Sequence, residues 1–364
     1  MHIVIDGRII SSTTGRYVER LVTYLEKIDH TNQYTVLVPS KDLEYWKPTQ
    51  PNFTVKAADF ANYSLDEQIG FKKLLKSLKP DLVHFCMPQQ PVLYKGKVVT
   101  TLHDFTLLDI RMTDKNPIVF TIKQRIGHFV FKEVIKKSNW IITDANYTKK
   151  RILAFNPLGK GKTTAIHLAA EPVSGGTLAY KLPYKQFLLY VGQQGSHKNI
   201  RALGDAHQKL LKIYPELGLV LVGKKNEAML ANETYFKEKG YKNILFTDFI
   251  PDAQLNWLYS HATAYVFPSL SEGFGLPGLE AMSRGLPVIS SNATCLPEVY
   301  GDAAHYFDPR NTDDITRAIT EVLGNEKLRT TLSQLGYEQI KKFSWKKMAE
   351  QTHAIYMKVL SAKN

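Results

Sequence analysis

The chain has 364 residues, 44% of them hydrophobic and 22% charged, with a formal charge of +13. That is the composition of a folded globular protein, long enough for two domains and too apolar for disorder. No stretch reaches the roughly 18 apolar residues of a membrane span, the first residues run straight into a strand pattern, and Cys86 and Cys295 lie far apart with no CxxC, so neither a signal peptide, a disulfide framework nor a zinc site is expected and the expected compartment is cytoplasmic.

Short apolar runs alternate with helical periodicity along the chain. A strand is expected over His2–Asp6, followed by the loop Gly7–Gly15 and a helix over Arg16–Ile28. Next come a strand at Tyr34–Pro39, a helix over Ser64–Leu78, and strands at Asp81–Phe85 and Val98–Leu102, the last running into His103-Asp104. The segment Pro117–Arg151 holds eight lysines and arginines against Glu133 and Asp144, and its apolar residues Ile118, Val119, Phe120, Ile122, Ile126, Phe129, Val130, Phe131, Val134 and Ile135 form a wide face. Such a basic amphipathic helix either lies on an anionic membrane or is a core helix with a basic outer side. Nucleic acid is not an expected partner, because the charge is spread and no reading motif is present. Strands at Trp140–Thr143 and Thr163–Ile166 precede a glycine- and proline-bearing break over 168–184, the expected linker.

The pattern then restarts. Strands are expected at Phe187–Val191, Leu217–Val222, Ile244–Phe246, Ala264–Phe267 and Val288–Ser291, with helices over Ile200–Tyr214, Asp252–Ser260, Thr312–Leu323 and Trp345–Leu360. Such alternation predicts two parallel sheets wrapped on both faces, with ligands beyond the carboxyl ends of the strands. His103, Gly192 and Glu272 each follow an expected strand on that side.

Residues 272–280, EGFGLPGLE, place two carboxylates eight positions apart around a glycine-rich turn that opens a helix. Gly273, Gly275 and Gly278 leave backbone N–H groups for an anion or a ring of hydroxyls, and Pro277 suits a first helical position. Glu280, expected in the first turn, can accept two hydroxyl hydrogen bonds. The simpler reading is a capped helix whose glutamates complement its dipole. Lys198 and Asn199 open a helix after the loop Gly192–His197, where a lysine can meet a diphosphate as a point charge. The run Asn156–Thr164, NPLGKGKTT, lacks the first glycine of a P-loop, which excludes that kind of nucleoside triphosphatase. No Asp-x-Asp occurs, so no metal clamp and no cofactor are expected.

The run from Pro268 to Pro309 closely resembles the signature region of the retaining glycosyltransferases of family 4. MHIVIDGR, TTGRYVERL at 13–21, DLVHF at 81–85, TLHDFTLLD at 101–109, LYVGQQGSHKN at 189–199 and LVGKK at 221–225 follow that family's order over nearly the whole chain. The resemblance implies the GT-B fold, two doubly wound Rossmann-like domains facing a central cleft. It divides the chain into an acceptor-binding domain over 1–170, a nucleotide-sugar-binding domain over 171–344, and a last helix over 345–364 crossing back to the first. Lys198 would contact the donor diphosphate, Glu272 the transferred sugar and Glu280 the ribose, while His103 and Asp104 would orient the sugar. Gly15, Gly192, Asn199, Gly273, Phe274, Gly275 and Leu276 would complete the donor contacts. Gln193, Gln194 and His197 stand near the place where many relatives carry an arginine, which leaves the second phosphate contact open. The motifs look most like the mannosyltransferase branch that builds O-antigen and capsular polysaccharide, implying GDP-mannose as donor and a glycan on a lipid carrier as acceptor. An epimerase or phosphorylase on the same fold, or a non-catalytic nucleotide-sugar-binding protein, are the alternatives.

Overall fold

A computed structural model describes residues 1–109, 117–171 and 175–362, without the side chains of 117–120. It contains two parallel sheets. The first runs in the order β3-β2-β1-β4-β5-β6-β7, from β1 (His2–Asp6), β2 (Gln33–Val38), β3 (Phe53–Ala57), β4 (Leu82–Phe85), β5 (Val98–Thr101), β6 (Trp140–Thr143) and β7 (Thr163–Ala165). The second runs β10-β9-β8-β11-β12-β13, from β8 (Phe187–Val191), β9 (Gly218–Val222), β10 (Ile244–Thr247), β11 (Ala264–Phe267), β12 (Val288–Ser291) and β13 (Ala304–Phe307). Central strands such as LVHF in β4 and AYVF in β11 are buried at every position, as a sheet covered by helices on both faces requires.

The helices are α1 (Gly15–Ile28), α2 (Lys72–Leu78), α3 (Thr106–Asp109), α4 (Pro117–Lys137), α5 (Asn146–Phe155), α6 (Ile200–Leu210), α7 (Glu227–Glu238), α8 (Asp252–His261), α9 (Leu276–Met282), α10 (Leu296–Tyr300), α11 (Thr312–Leu323), α12 (Glu326–Ile340) and α13 (Trp345–Ser361). Side-chain caps start several of them. Asn226, Asn311, Asn325 and Ser344 each accept a backbone N–H of the first turn, satisfying donors the helix itself cannot.

The chain clusters into two compact units. One comprises Met1–Phe105, Ile122–Leu168 and Ser344–Asn364; the other comprises Thr106–Thr121 and Ala169–Phe343. Thr106–Thr121 therefore groups with the second unit, where the Thr106 and Ser271 hydroxyls lie 3.0 Å apart, although a boundary at 170 would put it in the first. Within the first unit α13 packs against α1. His353 of α13 donates to Asp29, which also accepts from the Thr31, Asn32 and Tyr34 side chains. Of the break expected over 168–184, residues 172–174 lie outside the described residues.

Several local expectations need correction. The helix expected to begin at Ser64 passes through a π turn at Glu67–Phe71 before α2. Buried charge meets this turn: Arg8, following β1, pairs with Asp6 and Glu67 at 2.9 and 3.0 Å and lies over the Phe71 ring. The wide apolar face of α4 divides into two. Val130, Phe131, Val134 and Ile135 are buried, whereas Ile122, Ile126 and Phe129 are 52%, 43% and 57% exposed. Lys137 is not a surface cation: it is half-buried, donates to the Pro91 carbonyl, and burial lowers its pKa to about 8. The side chains of Ile118, Val119 and Phe120 lie outside the described residues.

Candidate active site

In the second unit the chain leaves β8 toward β9 on one side, while β11 and β12 lie on the other. The carboxyl ends of β8 and β11 are thus a topological switch point, where open parallel sheets hold their ligands. The loop after β8 carries Lys198, in a 3-10 turn over Ser196–Lys198, and the loop after β11 carries Glu272. Across the switch point Lys198 Nζ lies 2.6 Å from Glu272 Oε1. Leu270 N–H donates to the His197 carbonyl at 2.8 Å and ties the two loops together.

Neighbouring elements fix this pair. Asn199 sits at φ +59 and donates its amide to the Pro268 and Pro309 carbonyls, so its side chain braces loops instead of facing a ligand. Glu272 N–H donates to Thr294 Oγ1, and Cys295 Sγ donates to the Glu272 carbonyl. Three buried tyrosines support the loop backbones from below: Tyr190 donates to the Gln193 carbonyl at 2.6 Å, Tyr265 to Val191 at 3.2 Å and Tyr300 to Gly275 at 2.6 Å. Burial drives all three phenols well above the ordinary tyrosine value, and the Glu272 charge adds to the shift. They remain neutral donors. Three further polar atoms in the two loops, Gln194 Nε2, Ser196 Oγ and Ser269 Oγ, are buried with no hydrogen-bond partner. Orphaned buried donors are costly, and a ligand is one of the few explanations for them.

The EGFGLPGLE turn differs from its expected form in three ways. Gly275 takes φ +96 ahead of α9, a conformation that favours glycine, and Pro277 is the second helical residue, after Leu276. Gly278 N–H is spent on the Gly275 carbonyl, and a Cβ there would lie 2.3 Å from the Tyr300 hydroxyl, so this glycine serves packing. The Phe274 ring is buried edge-on against Phe343, leaving only its backbone for a ligand. Glu280 is the fifth residue of α9, beyond the first turn, and is half-buried. Gly192, at φ +144, donates its N–H to the Val222 carbonyl. Gly273 lies in the turn between Glu272 and α9, half-buried like Glu272 itself.

The other predicted residues belong to the first unit. Gly15 donates its N–H to Ser12 O, and a Cβ would fall 1.9 Å from the Ile10 carbonyl, so it closes the loop after β1 by close packing. His103 lies in the loop after β5, with Asp104 beside it. Its Nδ1 is 2.7 Å from Asp144 Oδ2 and its Nε2 is 3.0 Å from the Cys86 carbonyl. Sequence reasoning missed Asp144, Thr294, Cys295 and the three tyrosines. Their roles depend on strand neighbours far apart in the chain, and no local pattern signals that. Among the described residues, no group of three His, Cys, Asp or Glu side chains is placed to hold a metal ion.

The family follows from the known proteins to which the chain is similar. Residues 181–339 match the model of the glycosyl transferases group 1. The chain is 31% identical over 276 residues to O-antigen chain mannosyltransferase B of Escherichia coli, covering 71% of this chain and 70% of that one. The chain belongs to the group 1 glycosyl transferases. It is also 32% identical over 209 residues to the serotype-specific mannosyltransferase WbdA of E. coli, of whose length it spans only 26%. The O-antigen chain mannosyltransferase RfbU of Salmonella typhimurium is 27% identical over 236 residues. Two solved structures share the architecture of this glycosyltransferase at low identity. Sucrose-phosphate synthase of Thermosynechococcus elongatus has a TM-score of 0.82 at 18% identity, covering 100% of both chains. WaaG, a glycosyltransferase of lipopolysaccharide biosynthesis, has a TM-score of 0.69 at 15% identity, covering 98% of this chain and 99% of that one. The fold is GT-B. No helix among the described residues is long and apolar enough to cross a membrane.

Proposed function

We propose that this glycosyltransferase moves mannose from GDP-mannose to a glycan acceptor, carried on lipid, with retention of anomeric configuration. The carrying observation is the Lys198–Glu272 pair at the β8–β11 switch point, flanked by the buried unpartnered donors of Gln194, Ser196 and Ser269. A diphosphate offers acceptors to the Lys198 ammonium and to any of these donors that the loops turn toward it. Lys198 would exchange its carboxylate partner for the phosphate oxygens as charge develops there, and Glu272 would turn to the sugar hydroxyls. Fixed donors aimed at developing charge lower the barrier most when they need no reorganisation, and the tyrosine-braced loops meet that condition. Gln194 would then stand in for the arginine that many relatives carry.

In the transfer itself the bond from the anomeric carbon to the phosphate oxygen breaks on the face where the acceptor oxygen attacks. The acceptor proton passes to the departing phosphate, and no metal is required. Glu280 would hold the ribose, and His103 and Asp104 the orientation of the sugar. The mannose assignment rests on the three relatives above, whose names describe mannosyltransferases. A lipid-borne acceptor is consistent with the exposed stripe Ile122, Ile126 and Phe129 on α4, spaced at helical intervals beside exposed Lys123, Arg125, Lys132 and Lys136. That surface suits the cytoplasmic face of an anionic membrane.

The test is turnover. GDP-mannose and a mannose-terminated acceptor are incubated with enzyme and the product is read by NMR. An α-linked mannoside is expected, with Lys198→Ala slower by about 10²–10³ in kcat. A β-linked product, or equal turnover with UDP-glucose, would overturn the assignment.

A further inference from the structure

His103 is enclosed by its own unit. A carbonyl only accepts, so the contact to Cys86 fixes a hydrogen on Nε2, and Nδ1 faces the Asp144 carboxylate at 2.7 Å. Tyr17 of α1 meets the imidazole edge-on, with ring centroids 5.0 Å apart. The Tyr17 hydroxyl lies 2.8 Å from Thr101 Oγ1, which lies 2.8 Å from His84 Nε2, and His84 Nδ1 bonds the Tyr356 hydroxyl of α13. The histidine thus rests on a buried polar chain that reaches the C-terminal helix. Asp144 has a side chain only 4% exposed, and its second oxygen, Oδ1, is buried without a partner. A lone carboxylate in that position carries a heavy desolvation cost unless a cation compensates it.

Asp104 adjoins His103, and His167 follows β7 near Asp144. His84, pushed down to about 3 by burial, is neutral, while Tyr17 and Cys86 are driven up by burial and are neutral too. Burial alone would lower the pKa of His103; the Asp144 charge and hydrogen bond outweigh it, and the net direction is upward.

We propose that Asp144 is a positioning residue that keeps both ring N–H groups of His103 occupied, toward Cys86 and Asp144, so that His103 neither takes nor gives a proton during transfer. The ring is then a fixed support for the strand-end backbone, whose His103 carbonyl already accepts from Thr148 Oγ1. This deepens the functional reading above, in which His103 orients the sugar. It also limits that role, because no basic nitrogen remains to activate an acceptor hydroxyl.

The test pairs a spectroscopic readout with a kinetic one. The imidazole nitrogens of the 15N-labelled full chain are followed by NMR against pH, with His103 assigned by its loss in His103→Gln. Wild type is expected to keep both N–H signals of His103 well above the ordinary histidine value of about 6.5. Asp144→Asn is expected to give a neutral ring at neutral pH and a kcat lower by roughly tenfold to a hundredfold, with the donor KM nearly unchanged. Its kcat should also acquire a pH dependence that wild type lacks. A wild-type His103 that titrates near 6.5, or that shows Nδ1 without hydrogen, overturns the proposal, as does an Asp144→Asn enzyme with an unaltered pH profile. The wild-type NMR result needs no turnover, so it separates this proposal from the choice of donor.

Discussion

Gly278 and Tyr300 compete for one small volume. The Tyr300 hydroxyl bonds the Gly275 carbonyl, and a Cβ on Gly278 would come within 2.3 Å of that hydroxyl. Tyr300 is fully buried and cannot swing away, so Gly278→Ala should destabilise the second unit by about 1–3 kcal/mol, the usual cost of overpacking. Tyr300→Phe removes one of the two bonds to the Gly275 carbonyl and leaves it the Gly278 N–H alone, and the double variant should cost less than the sum of the two because they share one contact. Chemical denaturation measures all three, and a neutral Gly278→Ala would contradict the packing role. The residues that meet at the crevice, Lys198 and Glu272, were legible because short motifs flanking predicted strands carry them. Gly278 reads in the sequence as an open N–H because the turn that spends this donor on the Gly275 carbonyl leaves no signal there, and its packing role is hidden because Tyr300 is 22 positions away. Asp144 was passed over because nothing local distinguishes a structural carboxylate from one aimed at a histidine.

Element α4 has two faces with separate duties. Its buried residues Val130, Phe131, Val134 and Ile135 hold the helix to the first unit, while Ile122, Ile126 and Phe129 face outward with Lys123, Arg125, Lys132 and Lys136. Each cation near an anionic leaflet contributes about 1 kcal/mol at low salt, and exposed apolar side chains add burial in the interface. Lys123→Gln, Lys132→Gln and Lys136→Gln together should release the protein from vesicles containing phosphatidylglycerol, and Phe129→Ser should weaken binding at all salt concentrations. Sedimentation with such vesicles reads both effects; undiminished binding of the triple variant at low salt would contradict the membrane face. Lys137 is left out because its amine is committed to Pro91. At this scale the sequence periodicity located the central strands and most helices, and it missed β3 and β13. Both are edge strands in their sheets, and only one of the five residues of β3 is buried, so neither shows a buried apolar run.

Over the whole molecule, buried histidines set the response to acid. Burial lowers His84 in the first unit to about 3 and His207 in the second to about 4. Below the unfolded value of about 6.5 the unfolded chain takes up protons that the folded chain refuses, so each contribution is complete above that pH and is lost as pH falls. Asp29 acts in the same direction lower down. Its hydrogen bonds from Tyr34 and Asn32, with backbone N–H donors beside them, overcome burial and hold its carboxyl below the ordinary value, so its contribution fades as pH falls through the acid range. Below about pH 6, where the opposite contribution of His103 is already complete, thermal unfolding should therefore show Tm dropping toward pH 4 in both units. A Tm that holds or rises over that span would contradict the buried neutral state of the two histidines.

The central claim is that the crevice between β8 and β11 binds a nucleoside diphosphate through Lys198. Its most direct test is the thermal shift of wild type, Lys198→Ala and Glu280→Ala with GDP, UDP, ADP and TDP in turn. At about 100 times its dissociation constant, a ligand specific for the folded state adds roughly 2.7 kcal/mol, well above detection. The account predicts stabilisation of wild type by GDP above the other three and its loss in both variants. Stabilisation that survives Lys198→Ala, or no response to any of the four nucleotides, would contradict it.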